Sequence, residues 1–408
     1  MNQKLERIYP WIVVALLMVV AFLNYLDRQM LSTMQAAIGT DITELRQAQN
    51  FGRLMAVFLW VYALVSPFAG SIADRLSRKW LIVGSLAVWS AVTLLMGHCQ
   101  TFSQMYWLRG LMGVSEALYI PSSLSLIADY HAGKSRSLAV GLHMTGLYLG
   151  QAVGGFGAIF ADALSWRMTF QWFGIIGVLY AVVLAFFLRE KRTDAPAQAA
   201  VEKVEKTSIL KSFGLIFSNI AFWVILFFFA SSSLPGWATK NWLPTLFAGQ
   251  MDGDMSVAGP VATITIALAS FIGVMVGGPL SDRWVKKNLK GRVYTSAIGL
   301  AMMIPALVLM GLGKGLVPAV ASGLIFGLGY GMFDTNNMPI LCQFVPSRLR
   351  ATAYGFMNMV GVAMGALCTQ LLGRIPNLGL SFAVLGGVTA LALVLQLTLL
   401  HPKTDDMQ

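Results

Sequence analysis

Charge is scarce in this chain: 12% of its 408 residues are Asp, Glu, Lys or Arg, roughly half the share of an ordinary soluble domain. Acid is scarcer still, with 18 Asp and Glu against 29 Lys and Arg, a net charge of +11. With 57% hydrophobic residues and a mean hydropathy of +0.69, the chain reads as an integral membrane protein. Cys99, Cys342 and Cys368 are an odd number without paired spacing, which argues against a disulfide framework. His98, His131, His143 and His401 lack metal-ligand spacing, and Gly311 to Gly315 lacks both the spacing and the strand of a phosphate loop. No metal, cofactor or enzymatic chemistry is therefore expected. No Asn-x-Ser/Thr acceptor occurs and the outer loops are short, which fits a bacterial inner membrane.

What the chain has in abundance is apolar runs of the length that crosses about 30 Å of hydrocarbon. Twelve can be counted, at 10–37, 51–73, 80–98, 103–128, 137–161, 167–188, 218–247, 256–281, 293–312, 316–342, 351–373 and 377–400. The first, preceded by Lys4 and Arg7, begins like a signal peptide. It is too long for one and contains Asp27 and Arg28, so it is read as a retained helix. The basic residues also fall on one side. Arg46, Arg53, Arg167, Lys314 and Arg374 are assigned to the outside, Arg28, Arg109 and Lys240 to helix interiors, and the rest to loops on the side of Lys4 and Arg7. This bias puts both termini in the cytoplasm and explains the basicity without nucleic acid.

Charges inside apolar runs mark a protected interior, because each costs at least about 2.5–3.5 kcal/mol near a bilayer centre. Asp27 and Arg28 lie in the first run, and Arg109 and Glu116 lie two helical turns apart on one face of the fourth. A static charge network joining the two helices and a working transport site both fit these residues. Lys240 is expected to snorkel to the outer interface. Asp334 is the one acid within a helix of the second half, with a coupling role open to it.

Between the second and third runs, Gly70-x-x-x-Asp74-Arg75-x-x-Arg78-Lys79 resembles the signature loop of the major facilitator superfamily, and Gly277 to Lys287 repeats it around Asp282 and Arg283. Arg136 to Gly141 is likewise echoed by Arg350 to Gly355. The resemblance implies an all-α membrane protein of twelve transmembrane helices in two pseudo-symmetric halves, 1–188 and 216–408, around a polar linker at 189–215, with the site near the midplane. It implies cytoplasmic gating contacts for Gly70, Asp74, Arg75, Arg78, Lys79, Asp282 and Arg283.

Asn24-Tyr25-Leu26-Asp27-Arg28 and the Arg109 to Pro121 stretch, where Pro121 can break the helix, further resemble the anion:cation symporter, or sialin-like, branch. That likeness implies uptake of a small organic anion, such as an acidic sugar, with protons or sodium. It implies that Arg28 binds the substrate carboxylate, that Asp27 and Glu116 carry coupling protons, and that Arg109 pairs with these acids or with the anion. Spinster-like lipid transporters carry similar charges, so a lysolipid is the alternative cargo, beside drug export. Tyr25, Tyr119, Gln151, Asn336, Asn337 and Asn358 are further candidates for substrate hydroxyls. Helix packing is the competing role for Gln151, which lies in a small-x-x-x-small run, and helix bridging for the asparagines. A lipid-embedded monomer with a small anionic substrate is expected.

Overall fold

The computed structural model describes residues 3–131, 134–190, 217–218, 220–345 and 349–402; within helices, some side chains, among them those of Gly70, Asp74 and Arg75, are not described. Most of the linker therefore lies outside the described residues. The helices are α1 (Gln3–Thr33), α2 (Gln35–Asp41), α3 (Ala48–Arg75), α4 (Arg78–Met96), α5 (Phe102–Tyr130), α6 (Lys134–Gly154), α7 (Gly157–Leu164) and α8 (Trp166–Phe187). They continue as α9 (Ile220–Gln250), α10 (Met255–Val285), α11 (Gly291–Leu312), α12 (Leu316–Asp334), α13 (Asn337–Phe344), α14 (Arg350–Leu372) and α15 (Leu378–Leu399). Among the described residues, eleven spans are long and apolar enough to cross a membrane, and α6 with α7, bent by 53°, makes up to 12.

The same packing plan occurs twice. In the first half α1 packs on α6, α3 and α4 on α5, and α4 on α8; in the second α9 packs on α14, α10 and α11 on α12, and α11 on α15. The halves meet where α3 lies on α14, α6 on α10 and α1 on α9. The outermost spans, α8 and α15, are each 28% buried within the protein, which leaves most of their apolar surface for lipid.

Local chemistry sets where helices stop. The hydroxyls of Ser32 and Thr33 donate back to the carbonyls of Gln29 and Met30 at the end of α1, competing with the helical ladder. The first span thus ends at Thr33, short of the expected 37, and Gln35–Asp41 forms a separate short helix. Thr101 and Gln104 close a capping box at the start of α5. α5 passes Pro121 without a break, and the neighbouring Ser122 and Ser123 donate to the carbonyls of Leu118 and Ile120. Breaks fall instead between α6 and α7 and between α12 and α13.

The halves are pressed together at one end of the bundle. There Phe51 of α3 meets Trp242 of α9 edge to face at 5.9 Å, and Gly155 and Gly259 approach each other's backbone. Thr263 donates to the Ala152 carbonyl at 3.1 Å and Gln29 to the Lys240 carbonyl at 2.9 Å. Toward the other end, Asp334 and Tyr354 are exposed although their helices line the space between the halves. The space between the halves is thus accessible at Asp334 and Tyr354 and closed at the Phe51–Trp242 end.

Candidate functional site

The site is built from the closed end inward. Gly113 of α5 leaves room for the α3 backbone at Phe58 and Tyr62, which brings both rings under the cations of α1 and α5. The Arg28 guanidinium lies 5.1 Å from the Tyr25 ring centroid, 4.7 Å from Phe58 and 5.1 Å from Tyr62. Its Nε donates to Glu116 Oε2 in an ion pair whose side chains are 12% and 0% exposed. Arg109 lies 4.7 Å from the same Phe58 ring and donates to Met112 Sδ at 2.9 Å. Two cations thus share one aromatic face system, each with a donor to spare: Arg28 Nη2 and Arg109 Nε have no protein acceptor among the described residues. Glu116 Oε1 is equally without a donor.

Asp27 points elsewhere. Its Oδ2 accepts from Thr93 of α4 at 3.1 Å, so it lies behind Arg28 rather than beside the cavity. Tyr119, expected on the substrate, is fully buried in the first half. Its hydroxyl donates to the Leu17 carbonyl at 2.9 Å and its ring packs on Trp89 at 5.4 Å. A hydroxyl whose proton is given to a carbonyl within a fully buried core is not offered to a ligand. His143 is likewise interior, 3.4 Å from Ser123 Oγ. Gln151 is buried on α6.

The second half contributes Lys240, and here the expectation of snorkelling fails. Its ammonium turns inward, 4.7 Å from the Trp237 ring and 5.5 Å from Tyr330. The aromatic faces supply what the interface would otherwise offer. Asp334 accepts from Asn337 Nδ2 at 3.2 Å, and Asn336 donates to the Met332 carbonyl at 2.8 Å, each asparagine keeping an unbonded Oδ1. Asn358 is half-buried on α14. Arg28, Arg109 and Lys240 line one small chamber at the closed end, together with Gln29, Phe58 and Trp237. Its volume of about 20 Å³ is room for about one water.

At the opposite end, the described partners of the signature-loop residues lie within one half. Arg78 pairs with Asp129, and its backbone N–H donates to Glu190 at 2.8 Å. Asp282 pairs with Arg292 at 3.2 Å. Lys79 lies over the neighbouring Trp80 ring at 4.9 Å, and Arg283 is exposed. The expected roles of Gly70, Asp74 and Arg75 fall on side chains outside the described residues. Sequence reasoning missed Gln29, Phe58, Tyr62, Tyr330 and Tyr354; rings in an apolar run carry no signal that separates pore from lipid.

The family model described as Major Facilitator Superfamily matches residues 17–369. The chain is 26% identical to the hexuronate transporter of Bacillus subtilis (strain 168) over 414 residues, covering 96% of this chain and 94% of that one. It is 23% identical to the probable galactarate/D-glucarate transporter of Escherichia coli (strain K12), covering 90% and 88%. A solved bacterial homolog of the human lysosomal transporter spinster, inward-facing and occupied, superposes with a TM-score of 0.77 at 19% identity over 96% of each chain.

Proposed function

Because this chain belongs to the Major Facilitator Superfamily, a family of membrane transporters rather than enzymes, we propose that it imports a small organic anion of the acidic-sugar class by proton symport with alternating access. The observation that carries this reading is the Arg28–Glu116 pair beside Arg109, with spare guanidinium donors at a cavity end. A guanidinium gives a carboxylate two parallel donors. Glu116 and an incoming carboxylate compete for Arg28, so a proton on Glu116 frees the guanidinium for substrate, and loss of the proton expels it. Binding of one then favours binding of the other, which is symport. The named substrates of the hexuronate and galactarate/D-glucarate relatives agree with such a ligand.

The orientation follows from the positive-inside rule: both termini in the cytoplasm of a bacterial inner membrane, the closed end outside and the cavity open inward. Asp282, Arg283, Arg78 and Lys79 then lie at the open cytoplasmic face. Contacts between the halves form there when the cavity turns outward, by rocking of two six-helix units in a monomer. Tyr25 and Asn358 meet the hydroxyls of the sugar from the cavity walls, whereas Asn336 and Asn337 are buried.

The test is uptake into proteoliposomes of labelled acidic sugars, a neutral sugar and a lysolipid, with and without an inward proton gradient. Gradient-stimulated uptake of an acidic sugar is expected, and Glu116→Gln should abolish accumulation while counterflow exchange stays measurable. Movement of the lysolipid alone would replace this reading with a lipid-transport one. Sodium-driven uptake in the absence of a proton gradient would move the coupling to another ion.

A further inference from the structure

The three cations at the closed chamber are unequally served. Arg28 has Glu116, while Arg109 has a thioether and a ring face. Lys240 has only the Trp237 and Tyr330 rings, and among the described residues no carboxylate lies within 4.0 Å of its ammonium. The chamber lining contains no acid at all. Asp27 is turned to Thr93. Asp334 interacts electrostatically with Lys240 from a distance, holds Asn337, and is exposed to the cavity, where solvent screens it. One acid in contact therefore answers three cations, while Asp27 and Asp334 act on Arg109 and Lys240 only from a distance, so two of the cations have no carboxylate in contact where charge is costly.

Where those charges come from matters as much as their number. Arg28 and Arg109 belong to the first half, on α1 and α5, and Lys240 belongs to the second, on α9. Lys240 also reaches Tyr330 on the cavity side of the chamber. A ligand with one anionic group satisfies the arginines and leaves the ammonium bare.

We propose that Lys240 is a second anion-binding group and that the preferred substrate is a dicarboxylate, one carboxylate held by Arg28 and Arg109 and the other by Lys240. The inference rests on the anion-transport reading above. The chamber itself is too small for the ligand, so its body lies in the open cavity beside Tyr25 and Tyr330. A ligand anchored on both halves draws them together as it binds, and a monoanion does so less.

The probes are D-glucarate and D-gluconate, open-chain six-carbon polyols that differ in the second carboxylate. Binding to the purified full chain in detergent is read from tryptophan fluorescence, since Trp237 lies under Lys240, and competition for uptake is read in proteoliposomes. Wild type should bind glucarate at least tenfold tighter than gluconate. Lys240→Gln should reduce that ratio to below about threefold through weaker glucarate binding, and Lys240→Arg, which keeps the charge, should preserve it. Equal binding of both probes by wild type, or an unchanged ratio in a monodisperse Lys240→Gln sample, overturns the dicarboxylate assignment while leaving anion transport standing. Binding of neither probe overturns both readings.

Discussion

The helix pairs α1–α6 and α9–α14 hold equivalent places in the two halves but touch in different ways. In the first half, Gly146 and Gly150 of α6 face the carbonyls of Met18 and Phe22 on α1. In the second, Gly361 and Gly365 of α14 face the rings of Phe229 and Trp237 on α9. Backbone against backbone fixes α1, and with it Arg28. A ring on a glycine can rotate or slide, and Lys240 rests on the ring that Gly365 meets. The same small-residue device therefore gives a fixed cation in one half and an adjustable one in the other.

The largest expected effect breaks this contrast directly. Gly150→Leu should leave almost no folded protein, because its side chain must push a backbone away, whereas Gly365→Leu should fold with a lowered melting temperature. Overpacking costs about 1–3 kcal/mol where side chains can yield and more where backbone must move. Size-exclusion recovery in detergent measures both, and equal losses would remove the distinction. Next in size, Arg28→Lys should cut anion uptake by about 10- to 100-fold, since it keeps the charge but loses the fork, as expected for charge-assisted bonds of roughly 1.5–3 kcal/mol. Near-normal uptake would take Arg28 out of the site.

A smaller effect is expected on the adjustable side. Asp334→Asn should change the apparent substrate affinity by only about two- to fivefold, as suits a solvent-screened charge. A loss as deep as that of Arg28→Lys would make the second half an equal partner. The smallest concerns the starts of α5 and α12, which are also equivalent. The first is held by the Thr101 capping box and the second begins at Gly315 with φ of +84°. Thr101→Ala should cost about 1 kcal/mol of stability and Gly315→Ala about 1–3 kcal/mol, visible as shifts in thermal unfolding with uptake per folded molecule unchanged.

Much of this was legible because charge in an apolar run is conspicuous. Arg28, Arg109 and Glu116 stand out by composition alone, and the structure brings them to one place. Twelve apolar runs gave the spans, since bilayer thickness sets their length. Orientation about a helix axis was less legible. Tyr119 and Tyr25 read alike in sequence, yet one hydroxyl is spent on a carbonyl of α1 and the other residue sits under Arg28. Lys240 lies near the end of its span, where snorkelling is the ordinary outcome; only the rings of Trp237 and Tyr330 turn it inward, and Tyr330 lies 90 residues on. The bend between α6 and α7 was hidden because its glycines read equally well as packing residues.

The closed end has a thermodynamic character of its own. Its contacts across the halves include an aromatic pair, apposed glycines and uncharged hydrogen bonds, with no ion pair between the halves among the described residues. Parting such a seal wets apolar surface, which carries a positive heat-capacity change. The balance between closed and open forms should then curve with temperature and hardly respond to ionic strength, so that salt acts on the cargo and warmth on the gate.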